Sequence, residues 1–142
     1  IHLNTPQVAY VDDYAHHPEE LASLIKSAKT LFSKKRCVVA FQPHLFSRTK
    51  DFAEGFAKAL DMADEVLLLD IYPARELPME GVTSQLIADL MGNPNVTILT
   101  KESLISYSEH APIELFITAG AGDIDKLTVD IAANIKKRYP DT

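Results

Sequence analysis

Five short runs rich in branched and aromatic residues recur along this chain, and a stretch with helical spacing follows each of them. They are QVAYVDDY (7–14), RCVVAFQ (36–42), EVLLLDIY (65–72), VTILT (96–100) and ELFITAG (114–120). Most are continuously apolar rather than alternating, the pattern of strands covered on both faces. Strand–helix alternation closes as right-handed βαβ units. The expected fold is therefore α/β: a Rossmann-like, open, mostly parallel sheet with helices on both faces. With a short edge piece at His2-Leu3, the sheet should hold about six strands.

The helices announce their ends. The first begins at Pro18, whose missing N–H costs nothing there, with Glu19 and Glu20 near the positive end of the dipole. Leu21, Leu24, Ile25, Ala28, Leu31 and Phe32 then keep the 3.6-residue period and should face inward. A second helix, its start flanked by His44 and Arg48, carries Phe52, Phe56, Ala59, Leu60 and Ala63. A third opens at Thr83 or Ser84, buries Leu86, Ile87, Leu90 and Met91, and stops at Gly92 ahead of Pro94. A short fourth spans 101–108. The last runs from Asp123, with Ile124, Leu127, Ile131 and Ile135 inward, to the basic end Lys136-Lys137-Arg138. No repeat, low-complexity tract or linker interrupts the 142 residues, and that length suits one domain, 1–142, with a single core.

Charge and composition exclude several classes of function. A net charge of −6 and a pI near 5.3 leave no broad positive face to neutralise phosphates, so a nucleic-acid partner is not expected. No apolar run reaches the roughly 20 residues needed to span a bilayer, so no membrane partner is expected either. The single cysteine, Cys37, lies inside the apolar run CVVAF and reads as a core side chain, consistent with a cytoplasmic setting. The chain starts at Ile1 without methionine and enters a strand almost at once, as a fragment of a longer protein would.

In such sheets, ligands sit beyond the carboxyl ends of the strands, and every polar cluster of this sequence falls at one of those ends. VDDYAHHPEEL (11–21) gathers Asp12, Asp13, Tyr14, His16 and His17 before the first helix. It reads as a capped helix start, as a metal site, or as a ligand-facing edge. No metal site is expected, because adjacent histidines should diverge and no His-x3-His helical pair supports them. In FQPHLFSRTKDF (41–52), Arg48 beside exposed helix N–H groups suits a carboxylate or phosphate, or else pairs with Asp51 or Glu54. The long loop DIYPARELPMEGVTS (70–84) exposes Tyr72, Arg75 and Glu76, either as function or as surface decoration. TAGAGDID (118–125) holds a Gly-x-Gly turn on the last strand, weak as a dinucleotide fingerprint but able to admit an anion. A G-x-x-x-x-G-K-[ST] loop is missing, so this chain cannot by itself cradle a triphosphate in that way.

DDYAHHPEEL, FQPHLFSRTKDF, DIYPARELP with EGVTS, and the GAGD turn stand in the order and approximate spacing of the C-terminal domain of the Mur ligases. The chain resembles that family over essentially its whole length, and most of all its alanine-adding branch. The resemblance implies an amino-acid-binding lid domain of an ATP- and Mg2+-dependent ligase that joins L-alanine to UDP-N-acetylmuramate through an acyl phosphate. ATP and Mg2+ would be held mainly by a central domain and the UDP-sugar by an N-terminal one, both outside this chain. The fragment alone would then be inactive. Asp13 matches the position near the ATP ribose. Tyr14 and His16 match positions facing the incoming amino acid, with His16 catalytic or positioning. Arg48 matches an arginine for the alanine carboxylate or for developing phosphate charge, and His44 a residue orienting it.

Two positions depart from the family's pattern. Leu45 stands where many relatives have arginine, which leaves Lys50 or Arg75 to supply the charge, and Arg75 itself replaces a glycine. The rival readings are the muropeptide-recycling tripeptide ligase, whose corresponding segment differs from FQPH, and a stand-alone nucleotide-binding module. An NAD-type oxidoreductase would need the missing first-strand glycine fingerprint.

Overall fold

The computed structural model describes residues 1–140. Its elements follow in the order β1 (Leu3–Asn4), β2 (Ala9–Asp13), α1 (Pro18–Leu31), β3 (Cys37–Phe41), α2 (Phe46–Leu60) and β4 (Glu65–Leu68). Next come α3 (Ser84–Leu90), β5 (Val96–Ile98), α4 (Lys101–His110), β6 (Leu115–Ala119), a 3-10 turn (Asp123–Leu127) and α5 (Thr128–Arg138). The strands form one six-stranded sheet in the order β1-β2-β6-β3-β4-β5, with only β1 antiparallel. The expected α/β architecture and strand number are therefore observed.

Side-chain alternation divides the core into two layers. Cys37, Val39 and Phe41 of β3, with Leu115 and Ile117 of β6, meet Leu21 and Ile25 of α1, Phe56 and Leu60 of α2 and Ile87 of α3. On the other face, Val38, Ala40 and Phe116 meet Leu104 of α4, Ile124, and Ile131 and Ile135 of α5. Phe116 lies between Tyr10 and Tyr107, each ring centroid 5.7 Å away. Fully burying a side chain of this size stabilises by about 1.5–3 kcal/mol. Cys37 is buried as expected, and burial pushes its thiol up to about 11, away from reactivity.

Several boundaries and faces differ from expectation. The third strand ends at Leu68 rather than Tyr72, and Tyr72 pairs separately, as an isolated bridge to His44 in the loop after β3. Helix α2 starts at Phe46, which puts Arg48 inside its first turn. Phe52 has φ −117° and ψ 17°, a kink that leaves its ring 46% exposed instead of in the core. That ring stands edge-on to His17, with centroids 6.4 Å apart. Leu31 and Leu90 are also exposed, each in the last residue of its helix, where the apolar stripe rotates past the sheet edge. The last helix begins as a 3-10 turn, so its regular part starts at Thr128.

The register sets the stage for the site. Asp13 pairs with Ala119, Ala119 with Phe41, and Phe41 with Leu68, so four parallel strands end at one level. The loops that follow them leave side by side.

Candidate functional site

Helix α1 begins with His17 as its N-cap, in extended conformation, while Glu20 reaches back to accept from the His16 and His17 N–H groups at 3.2 and 3.1 Å. The His16 N–H, foremost, holds the Glu20 carboxyl below its ordinary range. Asp13 accepts from the Ala15 N–H at 2.9 Å, tightening the chain between β2 and α1. Tyr14 is 62% exposed, and its hydroxyl donates to Asp125 at 3.2 Å; this bond raises the phenol's pKa. The capping reading of this segment is thus realised in its geometry.

The two histidines do not diverge as expected. Their ring centroids lie 4.7 Å apart, and one ligand-type atom each from His16, His17 and Glu20 falls within 4.8 Å of the others. These groups are already engaged at the helix start: Glu20 closes the cap, and His16 Nδ1 lies 2.8 Å from the Tyr14 carbonyl.

His16, His44 and Arg48 come together across two loops. The His16 and His44 rings are 6.2 Å apart, edge to face, and Arg48 Nη1 lies 3.2 Å from His44 Nδ1. A carbonyl can only accept and a guanidinium can only donate. His16 therefore carries a proton on Nδ1, and in its neutral form leaves Nε2 as an acceptor, whereas neutral His44 accepts at Nδ1 and presents an Nε2–H donor. Burial, then the neighbouring Arg48, lowers the pKa of His44 below its ordinary value near 6.5, so it is neutral at pH 7.

The loop after β4 buttresses this cluster. Tyr72 donates its N–H to the Pro43 carbonyl and accepts from the Leu45 N–H, both at 2.8 Å, and its ring stacks on His44 at 5.7 Å. Leu45 has φ 71° and ψ 137°, a sparsely populated backbone region that costs on the order of 1–3 kcal/mol for a non-glycine residue. Its carbonyl accepts from the N–H and hydroxyl of Thr49, which pin it from the other side. Helix α2 has no capping side chain at Leu45 itself; Glu76, on the β4 loop, accepts from both the N–H and the hydroxyl of Ser47. The non-glycine left-handed residue of that loop is Ala74, at φ 54°, one position before Arg75. Arg75 and Lys50 are both exposed.

The Gly-x-Gly turn is filled by the protein's own side chains rather than open to an anion. A Cβ on Gly122 would stand 2.5 Å from Gln42 Oε1 and 2.6 Å from Tyr72 Cβ, and one on Gly120 would stand 2.8 Å from the Gln42 carbonyl. Gln42 is 4% exposed; its amide donates to Asp123 at 2.6 Å and accepts from the Ile124 N–H at 2.9 Å. Lys101 pairs with the other Asp123 oxygen. Burial works to raise the Asp123 pKa, but the bonds from Lys101 and Gln42 outweigh it and hold the carboxylate low. These partners were invisible in the sequence, because Gln42 and Asp123 are 81 residues apart. Only the fold makes them neighbours.

A larger hollow, of about 450 Å3, lies at the opposite end of the strands, lined by Arg36, Glu65, Tyr107 and their neighbours. Its polar groups pair with one another: Arg36 and Tyr107 both donate to Glu65, at 2.9 and 3.2 Å. The rim at the carboxyl ends, with a hollow of about 190 Å3 beside Gln42 and Lys101, is where side chains converge from four loops.

A mostly parallel α/β sheet with helices on both faces, whose carboxyl rim brings together two imidazoles, a guanidinium and a tyrosine, belongs to the doubly wound class. The particular family follows from comparison with known proteins. This chain belongs to the Mur ligase family: the model described as "Mur ligase, glutamate ligase domain" matches residues 2–122. It is 49% identical over 139 residues to the UDP-N-acetylmuramate–L-alanine ligase of Cytophaga hutchinsonii, covering 98% of this chain and 30% of that protein. The same enzyme of Porphyromonas gingivalis is 52% identical over 130 residues, covering 91% of this chain and 28% of the relative. The crystal structure of UDP-N-acetylmuramate-alanine ligase MurC from Thermotoga maritima superposes with a TM-score of 0.66 at 29% identity, covering 93% of this chain and 26% of that one. The chain thus spans about 30% of the length of the curated relatives it matches. Among the described residues, no helix is long and apolar enough to cross a membrane.

Proposed function

We propose that this chain is the amino-acid-binding lid domain of a bacterial cytoplasmic ligase that joins L-alanine to UDP-N-acetylmuramate at the expense of ATP. The observation that carries this reading is identity near one half to alanine ligases across almost the whole chain. The partners of the domain are then L-alanine, UDP-N-acetylmuramate and ATP, together with the ligase's own N-terminal and central domains.

Bound ATP with Mg2+ supplies the phosphoryl group that turns the lactyl carboxylate into an acyl phosphate. The residues here fit the nucleotide's ribose and not its triphosphate. Asp13 offers an exposed carboxylate at the rim, whereas the one glycine turn is filled by Gln42 and Tyr72. The chain's own contribution is to hold the amine that attacks. Arg48, oriented by its donation to His44, holds the alanine carboxylate and remains a fixed positive charge as charge develops nearby. His16, with Nε2 as its acceptor nitrogen, takes the proton that the attacking amine must lose. Tyr14, whose hydroxyl donates to Asp125, is assigned to the amino-acid side of the site by its place in the family motif.

In the full-length ligase, Arg48→Ala should raise the alanine KM or lower kcat at least tenfold, about 1.4 kcal/mol of transition-state stabilisation. Unchanged steady-state kinetics would remove Arg48 from the site. Offering free L-alanine against a tripeptide acceptor separates this reading from that of a muropeptide-recycling ligase.

A further inference from the structure

Helix α2 carries Arg48 in its first turn, yet its N-cap is a leucine with positive φ and no side chain able to cap. Its first N–H groups would ordinarily attract an anion. Here the carboxylate of Glu76, 29 residues further along the chain, accepts from the Ser47 N–H at 3.0 Å and also from the Ser47 hydroxyl. We propose that Glu76 is a positioning residue for amino-acid binding: it closes the α2 N-terminus from across the rim and so leaves the Arg48 guanidinium as the cation offered to the substrate carboxylate.

Three features support this. The Glu76 loop is already stitched to the His44 loop by the backbone bonds between Tyr72 and both Pro43 and Leu45, and by the stacked Tyr72 and His44 rings. Glu76 therefore completes a continuous brace rather than making an isolated surface contact. Second, Ser47 is the residue next to Arg48, so the bond fixes the turn from which the guanidinium projects. Third, the Ser47 hydroxyl, then its N–H, hold the Glu76 carboxyl below its ordinary range, so it is charged throughout neutral pH. A carboxylate already seated on the helix N-terminus repels a second one from that position. An incoming amino acid is thereby directed to Arg48, its amine toward His16.

This inference rests on the alanine-ligase reading. The test is steady-state kinetics of Glu76→Gln and Ser47→Ala in the full-length ligase, with thermal unfolding of the same variants of this chain. Glu76→Gln should raise the alanine KM at least fivefold, leave kcat within twofold, and leave the KM values for ATP and UDP-N-acetylmuramate unchanged. Ser47→Ala should show the same pattern to a smaller extent. An unchanged alanine KM overturns the proposal. So does a parallel loss of kcat and of affinity for all three substrates, which marks a merely structural contact. If the wild-type enzyme does not use L-alanine at all, the function proposed above fails. The role of Glu76 is then read from the KM for whichever amine the enzyme accepts, and no change there overturns it.

Discussion

His44 is where the protonation state of one residue governs the site. It accepts from Arg48, and it lies beside His16 and Tyr72, so a proton on its Nδ1 both removes the acceptor and sets two cations together. Its folded-state pKa is lowered, by burial first and by Arg48 second. The stabilisation tied to its neutral form is therefore fully present above the ordinary value near 6.5, and it is lost as pH falls from there through the lower folded value. On the function proposed above, the alanine KM of the full-length ligase should accordingly rise on acidification across that window. Titrating the His44 ring by NMR in this chain checks the cause directly. A midpoint at or above 6.5 would contradict the donor–acceptor arrangement with Arg48.

At the scale of elements, the turn after β6 is held more tightly than its glycines suggest. Gly122→Ala drives a methyl group into the Gln42 amide and the Tyr72 side chain, and overpacking of this kind costs about 1–3 kcal/mol. Urea unfolding should show that loss, and a neutral substitution would mean the turn can open. The strand runs and most helix starts were legible beforehand because they rest on local rules: apolar continuity, Pro18 at a first turn, and a hydroxyl residue opening α3 at Thr83 or Ser84. The faces of Phe52 and the ends of α1 and α3 were not, because a kink and a sheet edge depend on what lies opposite. Site residues divide the same way. Tyr14, His16, His44 and Arg48 stood out as polar residues at strand ends, and the family resemblance assigned their roles. Gln42, Asp123, Lys101 and Asp125 act through partners distant in sequence, and the part played by Glu76 depends on a loop whose path the sequence does not specify.

At the scale of the whole molecule, the two-layered core is fastened through β6. Phe116→Ala would remove a ring lying between Tyr10 and Tyr107 and leave a cavity under α4 and α5, a loss of about 3–5 kcal/mol by chemical denaturation. A much smaller loss would show that those helices can settle into the space. The strand order also bears on how the polypeptide comes into being. β6 is the last strand to be synthesised, yet it belongs between β2 and β3 in the middle of the sheet. Until the ribosome has released it, the earlier strands cannot take up their final spacing, and two apolar borders wait unpaired in a growing chain. Birth is thus the most hazardous moment for this domain: a nascent chain stalled before residue 115 would be prone to clumping, whereas the finished one closes its own gap.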